Sequence, residues 1–284
     1  MTIARHRWLA KKSARRAVVA GSWASTALRS RAPAEPTVRV LTYHRFGHSD
    51  RDPWCVTPAA FEAQMQWLAA QGRAVSLDDV LAFARGDRPL ADGSVLVTMD
   101  DGFSSVWHIA APIMQRHGVP SVAFVTTSLI GIEGPDERYL RWDEVARLRE
   151  AGITVGSHAH THRSMARLPA EQARDEACRS KELLEHCTGT AVDSFAYPFG
   201  MRPDESPATA QLLTECGYRS VFIAQHGVVH RGADAARLPR VKVEGGDPLW
   251  LFKRLCAGGM DGWRHVDDSL WRLQRSALTE RTSV

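Results

Sequence analysis

No stretch of this 284-residue chain approaches the roughly 18 consecutive apolar residues that a membrane-spanning helix needs. Cysteine is scarce and unpatterned. Cys55, Cys178, Cys187, Cys216 and Cys256 are odd in number, widely scattered and without a CxxC pair, so neither a disulfide framework nor a structural zinc knuckle is expected. That usage is compatible with a reducing cytoplasm. Acidic residues are absent from the first 31 positions, where Arg and Lys are dense. The formal charge of +4 is therefore mostly a property of the amino-terminal segment. A nucleic-acid module would weave basic and aromatic residues over a folded surface; here the basic run is terminal, and no nucleic-acid partner is expected. No fixed-period repeat is visible, which excludes a solenoid.

What is present is ordinary globular composition, 44% hydrophobic and 24% charged, enough for one large α/β domain. Residues 1–36 read as a basic extension. Its apolar part, AVVAGSWASTAL, is interrupted by Gly21, Ser22 and Ser25 and followed by Arg29 and Arg31. That is poor material for the core of about 7–15 apolar residues in a secretion signal. A basic, weakly amphipathic helix on an anionic membrane surface fits better, with a solvated extension as the bland alternative. The expected location is cytoplasmic or peripheral to the inner membrane, with secretion less favoured.

The folded domain is expected over 37–260, with a helical tail over 261–284 in which Trp263, Leu270 and Leu273 recur at helical spacing. Residues 37–43, TVRVLTY, form a first buried strand ending at His44. In TPAAFEAQMQWLAAQG, Thr57 caps a helix, Pro58 occupies its first turn and Gly72 stops it. SLDDVLAFARG repeats that grammar from Ser76. Strands follow at SVLVTM, near 119–125, at ITVGSH, at 194–197, at 220–224 and in LPRVKV, alternating with helical stretches. Such alternation predicts parallel strands joined by crossover helices, with barrel-like closure favoured by the number of units.

In such folds chemistry gathers at the carboxyl ends of the strands. Those ends are His44, Asp100 with Asp101, His158 to His162, and Pro198-Phe199-Gly200. His158 and His162 are four apart, so one helical turn would put both imidazoles on one side, where they could share a metal. Zinc commonly takes two imidazoles and a carboxylate. One of the paired aspartates can supply the carboxylate, leaving the other free to accept a proton.

TMDDG, GSHAHTH and FAYPFG resemble the three leading motifs of the polysaccharide deacetylases, also called carbohydrate esterase family four. The FAYPFG form and the Tyr43-His44 strand end resemble the exopolysaccharide-type branch. The resemblance implies a distorted (β/α) barrel of seven strands and a divalent metal, zinc first, with nickel, cobalt or manganese as other choices. It implies Asp100 as general base, and Asp101, His158 and His162 as ligands. His160 falls at a variable position and is expected to be a bystander or to support the site from behind. Two departures stand out: Ala159 replaces a Ser or Thr that would brace the metal loop, and Ala196 replaces an arginine that would hold the base. Arg240, in LPRVKV, is the candidate substitute partner. The usual late Leu-x-His motif is not evident; His226 fits it weakly, and His44 is the expected general acid. Phe199, next to Pro198, would donate its backbone N–H to the oxyanion, and Trp142 would flank the acetyl pocket or stack on a sugar.

The implied activity is metal-dependent N-deacetylation of an amino sugar in a polysaccharide or lipid-linked glycan, a hydrolysis of a linear, non-peptide amide. Alternatives are hydrolysis of a formamide or cyclic ureide on the same barrel, and a glycan-binding relic without chemistry.

Overall fold

The computed structural model describes residues 4–28 and 35–263. Seven parallel strands make one curled sheet: β1 (Val38–Tyr43), β2 (Ser94–Met99), β3 (Ser121–Val125), β4 (Ile153–Ser157), β5 (Ser194–Ala196), β6 (Ser220–Phe222) and β7 (Val241–Lys242). Their order across the sheet is β6-β5-β4-β3-β2-β1-β7. This is the expected α/β architecture, a distorted barrel of seven strands, curled as an open half-barrel. Arg45–Phe46 and Cys55–Val56 pair separately.

Crossover helices cover the sheet, among them α2 (Pro58–Ala70), α3 (Leu77–Arg85), α4 (Ala111–His117), α5 (Trp142–Arg147), α6 (Ala170–Thr188), α7 (Pro207–Glu215) and α8 (Leu249–Cys256). Thr57 caps α2 by accepting from Ala60 N–H, and Ser76 caps α3 by accepting from Asp79 N–H; each satisfies a donor the helix itself leaves unpaired. The stretch before α4 is a π-helical turn, Val106–Ala110.

The period-2 geometry of the strands divides the core. Val38, Val40, Leu96, Val122 and Phe124 join an inner cluster with Leu77, Val80 and Phe83 of α3. Leu41, Tyr43, Val95, Val97, Met99, Ala123 and Val125 face the outer cluster under the other helices. The inward series continues toward the strand ends. Val40 leads to Thr42 and then His44; Leu96 leads to Thr98 and then Asp100. Since Thr42 pairs with Thr98 and Tyr43 with Met99, the parallel register sets His44 beside Asp100 at the mouth.

Two expectations are corrected here. Within the expected extension, helix α1 (Arg5–Leu28) packs against the domain. Val19 joins the outer core, and Lys12 and Arg15 are buried. Lys12 Nζ lies 2.7 Å from Asp247 Oδ1, and Arg15 Nη2 2.7 Å from Asp247 Oδ2. Glu244 is the second carboxylate of this knot, 2.9 Å from Lys11 and 3.2 Å from Lys12. Buried charges demand such partners, and α1 is bound to the segment after β7 by supplying them. The second correction concerns cysteine: Cys178 of α6 and Cys216 at the end of α7 form a disulfide. The two helices pack side by side, a proximity that the 38-residue separation conceals. Leu270 and Leu273 of the expected tail lie outside the described residues.

Candidate active site

Asp100 and Asp101 leave β2 in opposite roles. Asp100 is buried, and its Oδ1 accepts a 2.7 Å hydrogen bond from Arg240 Nη1, whose side chain is 1% exposed. Burial raises the Asp100 pKa, but the Arg240 guanidinium, together with His158 and His44, outweighs it and holds the carboxyl below its usual range. Arg240 precedes β7, and its guanidinium also donates to Thr98 Oγ1 and to the Ile223 carbonyl. The cation facing Asp100 therefore comes from the residue before β7, at the far edge of the sheet order from β5, where Ala196 stands.

Asp101 turns the other way. Its Oδ1 lies 3.5 Å from His158 Nε2 and 3.3 Å from His162 Nε2, yet it makes no hydrogen bond. One ligand atom from each of the three residues falls within 4.8 Å of the others. His158 Nδ1 sits 2.7 Å from the Ala196 carbonyl. Donation of the Nδ1 proton to that oxygen leaves the Nε2 lone pair directed at Asp101, the arrangement of a metal-ligating imidazole. An orphaned, buried carboxylate oxygen facing two imidazole nitrogens is a donor set that fits a divalent cation. Burial raises the Asp101 pKa, and the two imidazoles more than offset it, so the group stays well below the ordinary carboxylate range.

His158 and His162 do not converge through a helical turn, as their spacing suggested. The segment is a loop, and left-handed backbone at Ala159 (φ 65°) and His162 (φ 58°) folds it back, with the two rings 5.0 Å apart. Asp101 (φ 72°) and Phe199 (φ 61°) share that conformation. Among the described residues five non-glycine positions do so, and four of them are these. Strain of that kind persists only where surrounding contacts enforce it.

The enforcing contacts can be named. Ala159 N–H donates to Ser157 Oγ at 3.2 Å, so a residue two positions earlier provides a hydroxyl to the loop in which position 159 has none. Ser128 N–H donates to the His160 carbonyl at 2.8 Å, and His160 Nδ1 bonds Thr127 Oγ1 at 2.8 Å. Thr161 is tied through its N–H and hydroxyl to the Glu176 carboxylate of α6. His160 thus holds the loop from behind and does not join the triad. Gly200 is required as glycine: a Cβ there would lie 2.6 Å from Ala224 N.

A cavity of about 630 Å³ opens over the triad. His44 lines it, its ring 4.3 Å from that of Trp54. Burial pushes the His44 pKa down to about 4, against the opposing pull of Asp101 and Asp100; the resting imidazole is neutral at pH 7. Phe199, 58% exposed, sets its ring 4.9 Å from His162. Pro198 is buried, and its carbonyl accepts from Gly200 N–H. His226 lines the wall against Trp263, the rings 6.0 Å apart.

Trp142 does not line the cavity. Leu140 is buried, and its N–H donates to the Gly102 carbonyl, so the chain turns outward before Trp142 opens α5 beside Cys187 of α6. The aromatic that this segment contributes is Tyr139, stacked on Phe103 with centroids 4.8 Å apart. Sequence reasoning also missed Trp54, Lys242, Lys11 and Arg15, all of which line the cavity. The alternation of β7 could have indicated Lys242; nothing local marked the other three.

The family model described as "Polysaccharide deacetylase" matches residues 87–221. That span carries the paired aspartates, the histidine loop and FAYPFG. These matches support the polysaccharide deacetylase family. YxkH of Bacillus subtilis, which carries a polysaccharide deacetylase name, is 25% identical over 210 residues, 73% of this chain and 71% of its own length. A poly-β-1,6-N-acetyl-D-glucosamine N-deacetylase of Staphylococcus epidermidis is 23% identical over 209 residues, 69% of this chain and 71% of the relative. Among solved structures, IcaB from Ammonifex degensii superposes with a TM-score of 0.69 at 26% identity, covering 79% of this chain and 97% of that one.

Proposed function

We propose that the chain is a metal-dependent carbohydrate N-deacetylase of the exopolysaccharide-type branch, removing acetyl groups from amino sugars of a polysaccharide or lipid-linked glycan. Carbohydrate N-deacetylation is the activity that the family match and the relatives indicate. The observation that carries the reading is the division of labour at residues 100 and 101: one carboxylate faces two imidazoles, and its neighbour is held ionised by Arg240.

Asp101, His158 and His162 would hold the cation, zinc before nickel, cobalt or manganese. When bound, such an ion polarises an amide carbonyl and makes water more acidic. Asp100, ionised beside Arg240, accepts the proton of the attacking water. The Phe199 N–H donates to the oxyanion that develops on the former carbonyl oxygen. His44 serves the leaving amine, and because it rests neutral it must take up a proton before it can deliver one. The products are acetate and a free amine. Acetate release from N-acetylglucosamine oligosaccharides, together with metal analysis of the purified chain, tests the reading. Bound metal without acetate release across a broad panel of N-acetylated glycans would oppose it.

Location is proposed on two further observations. The Cys178–Cys216 bond favours an oxidising compartment over the cytoplasm expected from sequence. The outward face of α1 carries exposed Arg5, Arg7 and Arg16, which suits peripheral contact with an anionic membrane. Co-sedimentation with vesicles containing phosphatidylglycerol, lost in the triple Arg→Gln variant, tests that contact without removing a helix that the fold uses. Equal sedimentation of the variant would sink it.

A further inference from the structure

The cavity reaches well past the groups that the proposed reaction uses. From His44 its wall passes to Trp54 and Lys242, then to Lys11 and Arg15 of α1, with Glu244 between them. Trp54 links the two ends: its ring meets the His44 imidazole on one side and carries the Lys242 ammonium on the other. β7 pairs Lys242 with Thr42, so both point inward at the same level of the barrel.

The charge at this end is not balanced. Lys11, Lys12, Arg15 and Lys242 supply four basic side chains, and Glu244 and Asp247 supply two carboxylates, which already pair with the three cations of α1. Among the described residues Lys242 has neither a hydrogen bond from its ammonium nor an ion pair; its one contact of that kind is the face of Trp54. Arg15, 3% exposed, keeps its Nε without an acceptor. One buried and one half-buried basic side chain on the same cavity wall, Arg15 and Lys242, thus retain hydrogen-bonding capacity. Donors are seldom buried with nothing to receive them.

We propose that this end of the cavity is a subsite for an anionic oxygen group, a phosphate or a carboxylate, carried by the glycan near the N-acetyl group to be hydrolysed. The inference rests on the deacetylase reading and gives it a substrate class. Lys242, Arg15 and Lys11 receive the anion through charge-assisted hydrogen bonds, which are shorter and stronger than neutral ones. Burial pushes the Lys242 ammonium down to about 6, aided by Lys11, Arg15 and Lys12 and opposed by Glu244. An anion at that place favours the protonated amine and supplies the acceptor it lacks.

The test uses the full chain and three trisaccharides of N-acetylglucosamine: the neutral one, its 1-phosphate, and one with a glucuronate in place of one unit. Acetate release is expected with a KM lower by about tenfold for at least one of the charged substrates, in the range of a charge-assisted contact. Which of the two gains identifies the anion. Lys242→Met is expected to erase that advantage while leaving kcat for the neutral trisaccharide within about twofold, since its place is the anion and not the scissile bond. Lys11→Gln, at a partly exposed position, is expected to reduce the advantage in the same direction and covers the case in which Lys242→Met does not fold. Equal KM for all three substrates, or an advantage that survives both variants, overturns the proposal. If no trisaccharide releases acetate, the deacetylase reading fails separately. Calorimetric binding of the same three compounds then decides the subsite: preferential binding of a charged one, weakened in the variants, supports it, and equal or no binding overturns it.

Discussion

Arg240 Nη1 and Asp100 Oδ1 meet at 2.7 Å across 140 residues of sequence, with both side chains buried. Burial alone would raise the carboxyl pKa, and Arg240, with His158 and His44, reverses that sign. In Arg240→Gln the raising effect of burial is left without its main opponent, and the Asp100 pKa should rise. A base works only above its pKa, so the acid limb of kcat/KM should move to higher pH, by about one unit or more for loss of a close ion pair. A pH–rate profile with an unmoved acid limb would contradict this role.

The two aspartates should separate cleanly on substitution. Asp101→Asn removes the ligand charge from the triad, and metal content should fall with activity. Asp100→Asn should keep the metal and lose turnover, by about 10²–10⁴-fold, as expected for loss of a general base. Atomic absorption together with acetate release distinguishes the two. Metal loss in both variants would mean that the carboxylates do not divide the work.

Asp247 binds α1 to the domain through Lys12 and Arg15. Asp247→Ala leaves the buried Lys12 and Arg15 with Glu244 as their one remaining carboxylate among the described residues, and breaking a buried pair costs up to about 3–5 kcal/mol. Urea unfolding should report a loss of that size with an unchanged slope. A midpoint close to that of the wild type would show that α1 adds little to the fold.

The cysteine pairing gives a direct count. Denatured without reductant, the protein should take up alkylating reagent at three thiols, Cys55, Cys187 and Cys256. After reduction all five cysteines of the sequence should react. Five modified residues in the unreduced sample from its native compartment would remove the argument for an oxidising location.

Strand ends were legible because strand signals are local. The apolar run before Asp100, the Thr57 and Ser76 caps, and Arg240 beside a short late strand all rest on neighbours a few residues away. The fold of the histidine loop was not legible. Left-handed backbone at Ala159 and His162 is costly for residues with a Cβ, and beside the local Ser157 it is held by Thr127 and Glu176 from two other places in the chain. Trp142 and Tyr139 show the same limit. Both are aromatics near a predicted helix start, and only the turn after Leu140 decides that Tyr139 reaches the cavity.

By itself the sequence determined the parallel α/β order and set Asp100, Asp101, His158 and Phe199 at strand mouths, because alternation and breaker residues act over short range. Only the tertiary structure decided which cation faces the base, which cysteines pair, and that a basic amino-terminal helix forms part of the cavity wall. Those outcomes depend on the curl of the sheet, which brings β7 and α1 to a site whose base candidate, Asp100, lies 140 residues from Arg240. Contacts of that range follow from the packing of the whole core, and no local pattern records them.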